Sequence, residues 1–472
     1  MQKPQRILFL DLMRVLALFM MIQGHTTYDF LDLAIRDGHS EGIKVWRSLR
    51  GYTAPFFMMV SGSVFTFLMI SQELPNGTNP RIKTGIQRVI TLLFWGYLLN
   101  FPIYVIWKIF TEDGVRQFLE VGIGETLSTI FVISLALYLY KKLREEKESK
   151  RQRLLRKIFK KSFLTNPRYR ELILNTDYLK KQEFQTRLMS SVFYGILISI
   201  PYLIISNLLT LSEMQRALRV DVLHIIALGL LTILIIYLIF RKHRWVMALI
   251  IFLLLLTVIC AYPLLHNVDL VTELPIFLSP YLNDFGTKSM FPLVPWLAYV
   301  FGGALMGIWL SYEVKHKNFK KVIGFKLALL GLGFLFLSEL GDRFEIYYYG
   351  KSYFWHDSPN LIYHRFGVVL SVGAVMAFLS LLINDLPKFM KQMSRNTLWL
   401  YVGHLIVIYQ IVKPIIGYKT RFDVPFTLVC IVCMFILMYL QTQIIIYVQK
   451  RGGYIRLIRS WFMRKSSLEE GD

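Results

Sequence analysis

The sequence predicts an all-α, polytopic integral membrane protein, a bundle of about 12 transmembrane helices with both termini in the cytoplasm. Of its 472 residues, 55% are hydrophobic, and the mean hydropathy is +0.47, which is typical of membrane proteins. The apolar residues gather in segments of about 20, the length that a helix needs to cross the hydrocarbon core of a bilayer. The charge of the connecting loops alternates along the chain, as it does when successive loops lie on opposite sides of a membrane.

Twelve segments are long and apolar enough to be predicted as spans. The first is expected to be a retained span and not a cleaved signal peptide, because its apolar region is long, is interrupted by charges and precedes no small-residue cleavage site. The predicted spans are residues 7–28, 47–70, 86–110, 123–141, 191–209, 221–240, 244–264, 291–310, 322–340, 363–384, 395–416 and 424–448.

The loops sort by charge. Loops after the even-numbered spans are basic, whereas those after the odd-numbered spans are mixed or acidic. Because basic loops remain in the cytoplasm, this alternation places both termini there. The segment 412–423 fits the rule least well, since it follows an odd-numbered span yet carries Lys413, Lys419 and Arg421.

The net charge of +23 is concentrated beside the predicted spans. Residues 141–190 contain 16 Lys or Arg against 6 Asp or Glu, and we predict that this cytoplasmic insert forms a solvated or membrane-skimming helix. A second basic segment is the cytoplasmic tail, residues 449–472. Basic clusters in such positions bind anionic lipids, so we expect membrane lipids and no nucleic acid as partners. The remainder of residues 1–472 is predicted to form a single integral membrane domain of a multi-pass cell-membrane protein.

The three cysteines indicate little chemistry. Cys260, Cys430 and Cys433 all fall in predicted spans. The last two form a C-x-x-C pattern inside an apolar helix, where small packing residues are the simpler interpretation. We predict neither a metal site nor a disulfide framework.

The first predicted span contains three ionisable residues, Asp11, Arg14 and His25. A charge at membrane depth costs roughly 2.5–3.5 kcal/mol on insertion scales, so such residues face a cavity or a partner. Arg14 and His25 are eleven positions apart, which places them about 16 Å apart and within about 20° of one helical face. Asp11 and Arg14 form a neutralising pair on one interpretation, and on the other Arg14 binds a phosphate or orients a carbonyl; both can hold at once, because a paired Arg keeps free donors. His25 is either an interfacial imidazole or a functional group, namely a general base or an acyl acceptor.

Further candidate residues lie toward the predicted cytoplasmic side. Arg81 and Arg88 introduce the third span; they are either topology determinants or ligands for the phosphates of an activated donor. His404 lies about nine residues into the eleventh span, so we expect it to contact a buried partner or the same donor.

Other candidates lie at the predicted external side. A carboxylate beside His25 would orient it, as in other pairs of a base and its orienting acid, and Glu339 and Asp342 are the candidates for that role. Trp296, which follows Pro295, suggests a capped or broken helix lining a cavity. The segment Ser61–Ser63 and the glycines at 302, 303 and 307 are interpreted as close-packing surfaces. The remaining candidates for contact with an external substrate are His224, His364 and Arg365.

These residues together resemble the transmembrane acyltransferase superfamily, which includes the acyltransferase-three and heparan-glucosaminide N-acetyltransferase groups. The family pattern in the first span is Asp-x-x-Arg followed, after ten residues, by His, and Asp11, Arg14 and His25 match it. The Ser61-Gly62 step, the basic start of span three ending in Arg88, and the segments 291–303 and 396–404 are also similar. The chain departs from the pattern at Val15, where Gly often follows the Arg, and in spans four and five with their insert.

The resemblance implies that an acyl-CoA, usually acetyl-CoA, binds from the cytosol and that its acyl group passes to a sugar at the external face. It also implies that the His of the first span is a base or a transient acyl carrier. We therefore predict an acyltransferase whose partners are acyl-CoA and an extracytoplasmic glycan or glycolipid. The alternatives are a twelve-helix transporter or glycolipid exporter, whose long loop usually follows span six, and a non-catalytic scaffold, which leaves Arg14 and His25 unexplained.

Overall fold

The computed structural model describes residues 7–101 and 211–450, apart from positions 75, 76, 267, 283, 317, 356 and 357, together with the isolated positions 134, 135 and 192. The chain divides into two compact units. One consists of Met1–Asn100 with Leu218–Asp472, and the other of Phe101–Ala217. The fourth and fifth predicted spans, the insert 141–190 and the tail 449–472 lie almost entirely outside the described residues. The described segment of the second unit holds one short helix, Leu211–Ala217.

The described part of the chain is built of helices, and its only β contact is an isolated bridge between Leu31 and Phe422. In chain order the helices are α1 (Leu8–Phe30), α2 (Leu33–Arg36), α3 (Glu41–Ser71), α4 (Arg81–Asn100), α5 (Leu211–Ala217), α6 (Val222–Phe240), α7 (Arg244–Leu265), α8 (Ser279–Leu282), α9 (Leu293–Glu313), α10 (Phe319–Tyr349), α11 (Pro359–Leu382), α12 (Lys388–Arg395), α13 (Thr397–Leu405), a π-helical turn (Ile406–Val412), α14 (Lys413–Ile416) and α15 (Val424–Lys450).

Nine helices in the described part are long and apolar enough to cross a membrane. They are α1, α3, α6, α7, α9, α10, α11, the continuous stretch Thr397–Ile416 and α15. These nine confirm a multi-pass helical membrane protein, while the total of 12 and the sides of the termini stay predictions. The third predicted span corresponds to α4, which is less apolar because it begins with Arg81 and Lys83 and contains Arg88.

Close backbone contact holds α3 against α9 at the centre of the first unit. A Cβ atom on Gly62 would overlap the carbonyl oxygen of Val300, and one on Gly303 would overlap that of Met59. Gly307 meets the backbone of Ser63 in the same way. These contacts confirm the predicted packing role of the small residues, which let two helices approach closely in lipid, where no hydrophobic force drives them together.

The loops meet at two ends of the first unit. At one end Arg241, after the sixth predicted span, donates to the carbonyl of Gly77, after the second. Lys320, in the first turn of α10, donates to the carbonyl of Ser380, in the last turn of α11, at 3.0 Å. We call this end, which also holds the start of α1, the basic end.

The opposite end, which we call the far end, gathers loops after odd-numbered spans. The amide of Phe422 donates to the carbonyl of Phe30 at 2.6 Å, and the amide of Asp32 donates to the carbonyl of Phe422 at 2.8 Å. The segment 417–423 therefore lies beside the end of α1 in spite of its basic residues. Lys413 is buried, donates to the carbonyl of Thr420 at 2.9 Å and lies over the ring of Phe30, so its charge has a structural role.

Candidate active site

A cleft opens among α1, α3, α4, α6 and α13 and encloses about 830 Å³, part of it open to solvent. Along α3 it runs from Phe57 to Met69, which is about 18 Å of helix. Its polar lining includes Arg14 from α1 and Arg81 and Arg88 from α4. The structure thus brings together three of the four residues predicted to bind the donor. The apolar lining includes Val60, Val64, Phe65, Leu68, Leu92, Leu223 and Ile226.

The three cations in the cleft differ in their partners. The Nη1 of Arg14 donates to Oδ1 of Asp11 at 3.2 Å, one helical turn earlier. This contact confirms the expected pair, and Arg14 still reaches the cleft. Arg81 is oriented by its Nε, which donates to Oε1 of Gln72 at 2.7 Å. Arg88 is exposed toward the cleft. A site with three guanidinium groups and an apolar wall suits a ligand that has phosphates at one end and an apolar chain at the other.

A pair of imidazoles lies farther along α1 and α13. The ring centroids of His25 and His404 are 5.3 Å apart. His404 is completely buried, and its Nδ1 lies 2.9 Å from the carbonyl oxygen of Leu400. Because a carbonyl only accepts hydrogen bonds, this contact assigns the proton of His404 to Nδ1. The Nε2 atom then carries a lone pair, is buried and has no hydrogen-bond partner among the residues that the structure describes.

The group around His25 also includes Tyr409 and Asp29. The Tyr409 ring stands edge-on to that of His25, with centroids 6.5 Å apart, and its hydroxyl donates to Oδ2 of Asp29 at 2.5 Å. Arg50 from α3 also lies beside this group, since a Cβ atom on Gly24 would lie 3.9 Å from Cγ of Arg50. The guanidinium of Arg50 lies 3.8 Å from the centre of the Tyr28 ring.

Aromatic rings connect the cleft to the imidazole pair. Phe57 lines the cleft and stacks on Tyr401, with centroids 6.1 Å apart. Tyr401 in turn meets His404 edge-on at 5.6 Å. The innermost wall of the cleft is therefore separated from His404 by a single aromatic side chain. His404, predicted to contact the donor, lies with His25 beyond this wall and does not line the cleft.

A second aromatic group lies at the far end of α3, α9 and α11. Arg365 lies over the ring of Trp296, with its guanidinium carbon 5.3 Å from the ring centre. The Tyr52 hydroxyl and Nε2 of His364 are 3.0 Å apart, and Tyr52 follows Arg50 by two residues. The structure thus brings together Trp296 and Arg365 and places His364 beside α3.

A family comparison adds to this geometry. A model of the heparan-alpha-glucosaminide N-acetyltransferase catalytic domain matches residues 6–147 and 130–337, which is well over half of the chain. The chain belongs to this family. Comparison with curated proteins and with solved structures gave no match. The resemblance inferred from the sequence is thereby confirmed, and the protein is a multi-pass member of a membrane acyltransferase family.

The family match ends before α11. It includes Asp11, Arg14, His25, Arg81, Arg88, His224 and Trp296. His404 and Tyr409 lie beyond it, so their place beside His25 is a finding of the structure alone. No group of three or more His, Cys, Asp or Glu side chains is arranged to hold a metal within the part of the chain that the structure describes.

The two carboxylates predicted to orient His25 have other partners in this family member. Glu339 accepts from Nε of Arg343 at 3.0 Å, with both side chains exposed. Asp342 accepts from the hydroxyl of Ser352 at 2.5 Å. Their helix, α10, packs mainly against α11. The carboxylate that the structure links to the histidine pair is instead Asp29, through the hydroxyl of Tyr409.

His224, the remaining predicted substrate contact, belongs to the helix start of α6. Its Nδ1 accepts from the backbone amide of Asp221 at 3.0 Å and forms a capping box with that residue. The ring is completely buried and meets Tyr97 edge-on, with centroids 4.4 Å apart. The contacts of His224 therefore stabilise the start of α6.

Proposed function

We propose that the protein transfers an acyl group, most simply acetyl, from acyl-CoA bound in the cleft to a hydroxyl or amine of a sugar at the far end. The observation that carries this proposal is the row of ring contacts that leads from the cleft, lined by Arg14, Arg81 and Arg88, through Phe57 and Tyr401 to His404 and His25. The guanidinium groups bind the phosphates of the donor, and the apolar wall accommodates the chain that bears the thioester.

The imidazole pair supplies the base for this reaction. His25 removes the proton from the acceptor oxygen or nitrogen, which attacks the thioester carbonyl carbon. The new bond to the acyl carbon forms, the carbon–sulfur bond breaks, and the CoA sulfur leaves as a thiolate that takes up a proton. We propose that, once donor and acceptor are bound, the lone pair on Nε2 of His404 takes a hydrogen bond from the N–H of His25 and so selects the tautomer of His25 that has a free basic nitrogen.

The aromatic group at the far end suits a sugar acceptor. Trp296 offers a flat apolar face, while His364 and Arg365 offer hydrogen-bond donors beside it. In this arrangement the basic end faces the cytosol, where acyl-CoA is made and anionic lipids are found. The far end faces the outside of the cell membrane, where the glycan or glycolipid acceptor lies.

The proposal is tested with purified protein in detergent, by measuring acetyl-CoA binding and release of the CoA thiol with a glucosamine-terminated oligosaccharide as acceptor. We expect Arg88→Gln to weaken acetyl-CoA binding about tenfold or more, because a hydrogen bond to a charged group contributes about 1.5–3 kcal/mol. We expect His25→Ala to bind the donor normally and to lose transfer.

Arg343→Gln is the matched control, since Arg343 is an exposed cation on α10 and should leave both measurements unchanged. Folded wild-type protein that binds no acetyl-CoA would overturn the proposal, and transport of glycolipid would then be measured. Equal donor affinity in wild type and Arg88→Gln would show that the donor does not bind in this cleft.

A further inference from the structure

The helix that carries His404 changes its winding immediately after that residue. Ile406–Val412 forms a π-helical turn, and Tyr409 lies within it, five residues after His404. In an α-helix, residues five apart point about 140° away from each other. In a π-helix the backbone bonds from i to i+5 bring such residues close to one face. The turn therefore allows His404 and Tyr409 to meet the same ring, that of His25.

Asp29 completes this arrangement from α1. It follows His25 by four residues, and residues at that spacing are neighbours on one helical face. Its Oδ2 accepts the Tyr409 hydroxyl at 2.5 Å. His25 thus shares one helix face with Asp29 and meets, edge-on, the ring of the tyrosine that Asp29 binds.

The surrounding contacts hold both partners in place. The end of α1 pairs with the segment after the π turn through the backbone bonds of Phe30 and Asp32 to Phe422. Lys413, immediately after the turn, binds the carbonyl of Thr420. A π-helical turn is a rare winding that is frequently found at functional sites, and here it is secured at its C-terminal end.

We propose that Asp29 and Tyr409 are positioning residues for His25: Tyr409 fixes the imidazole ring, and the Asp29 carboxylate, held by the Tyr409 hydroxyl, stabilises the positive charge that His25 acquires when it takes the acceptor proton. The other groups that face His25 are His404 from α13 and Arg50 from α3, together with Tyr28 on α1. The inference rests on the proposed acyl transfer. It assigns to Asp29 the charge-stabilising role that a carboxylate plays in other pairs of base and acid.

The test is a double-mutant cycle with Tyr409→Phe and Asp29→Asn, measured as acetyl transfer to the glucosamine-terminated oligosaccharide. Each single variant should lower kcat about 10- to 100-fold, since loss of alignment at the reacting atoms has effects of that size. KM for acetyl-CoA should stay within about twofold, because the cleft is untouched. The double variant should be no worse than the poorer single variant, since residues that act as one unit are not additive.

Two matched variants serve as controls. Asp32→Asn and Tyr418→Phe make the same chemical changes in the neighbouring segments and should retain wild-type kcat. Asp29→Glu keeps the carboxylate and should recover part of the lost kcat, whereas a purely structural role would give no such recovery. Thermal unfolding and acetyl-CoA binding establish that each variant is folded.

Folded Tyr409→Phe and Asp29→Asn proteins with wild-type kcat would overturn the inference and leave the proposed function intact. Strictly multiplicative losses in the double variant would also overturn it, because the two residues would then act separately. A wild-type protein that binds no acetyl-CoA contradicts the proposed function itself, so the two failures are distinguished by the wild-type measurement.

Discussion

At the scale of single residues, several charged groups buried in the described part of the bundle have specific partners, whereas one ring nitrogen at the candidate site has none. Asp11 binds Arg14, and Lys413 binds a carbonyl. Nε2 of His404 has no partner. A buried polar atom without a hydrogen bond costs roughly 1–3 kcal/mol, so its persistence beside a second imidazole is consistent with a group that functions when substrate is present.

His224 provides a residue-scale prediction about stability. A Cβ atom on Gly96 would lie 2.7 Å from Cε1 of His224, whose ring is held by Asp221 and by the edge contact with Tyr97. Gly96→Ala should therefore destabilise the protein by about 1–3 kcal/mol of overpacking, reduced by the roughly 1 kcal/mol that alanine gains in a helix. Thermal unfolding in detergent measures this as a lower melting temperature.

The control for that prediction is Gly42→Ala, at a helical glycine with open space around it. Its melting temperature should equal or exceed that of the wild type. If the two variants have the same melting temperature, the His224 ring is able to move aside and does not fix the start of α6.

The candidate site was predictable in part at this scale. Arg14 and His25 follow from the spacing of two costly charges in one apolar span, and Arg81 and Arg88 from a basic helix start. Asp29 was not predicted as a site residue, although it shares a helix face with His25, because it follows the predicted end of the first span and so is interpreted as a loop carboxylate. Tyr409 could not be placed from sequence, since its position depends on a π turn that α-helical periodicity does not describe.

At the scale of whole helices, hydropathy predicted which segments are spans better than where each helix ends. The ninth predicted span covers 322–340, whereas α10 continues to Tyr349. Gly350, with a φ of 72°, caps the helix there. The hydropathy of the sequence falls at Glu339 and Asp342. A helix nevertheless continues beyond the apolar layer of the membrane, because its backbone hydrogen bonds do not depend on apolar side chains. The first turns of α3, from Glu41, extend beyond the predicted start for the same reason.

The contact of α3 with α9 carries an element-scale prediction. Gly303→Ala places a methyl group against the carbonyl of Met59, and backbone cannot move aside as a side chain can. Separation of the two helices should widen the cleft, since Val60 and Val64 on α3 form its wall. We expect a lower melting temperature and weaker acetyl-CoA binding together, measured on the same preparation.

Gly333→Ala is the comparison for that variant, because Gly333 lies in α10 with nothing within 4 Å of an added methyl. It should retain both wild-type values. A Gly303→Ala protein with unchanged melting temperature and donor affinity would contradict the importance of this close contact.

At the scale of the whole molecule, the loops group by contact as well as by charge. The basic end and the far end collect loops from alternate spans, as a bundle of antiparallel neighbours requires. The segment 417–423 was the weakest fit to the charge rule, and the structure places it beside the end of α1. Its basic residues are partly engaged in the fold, since Arg421 donates to the carbonyls of Tyr418 and Thr420 at 3.0 Å. Charges held in such contacts are weak indicators of the side of the membrane on which a loop lies.

This arrangement predicts that positions 40 and 419 lie on one side of the membrane and position 242 on the other. In a protein whose three cysteines are replaced by alanine, Ser40→Cys, Lys419→Cys and Lys242→Cys each introduce one exposed thiol. An impermeant maleimide added to intact cells should label the first two and spare the third, which should react only after permeabilisation, because basic loops stay in the cytoplasm. Retained acetyl-CoA binding serves as the control for folding.

A different labelling pattern would contradict this arrangement. If Lys419→Cys reacts only after permeabilisation, as Lys242→Cys does, the charge rule describes segment 417–423 correctly. His25 and its partners would then lie at the cytoplasmic side of the membrane.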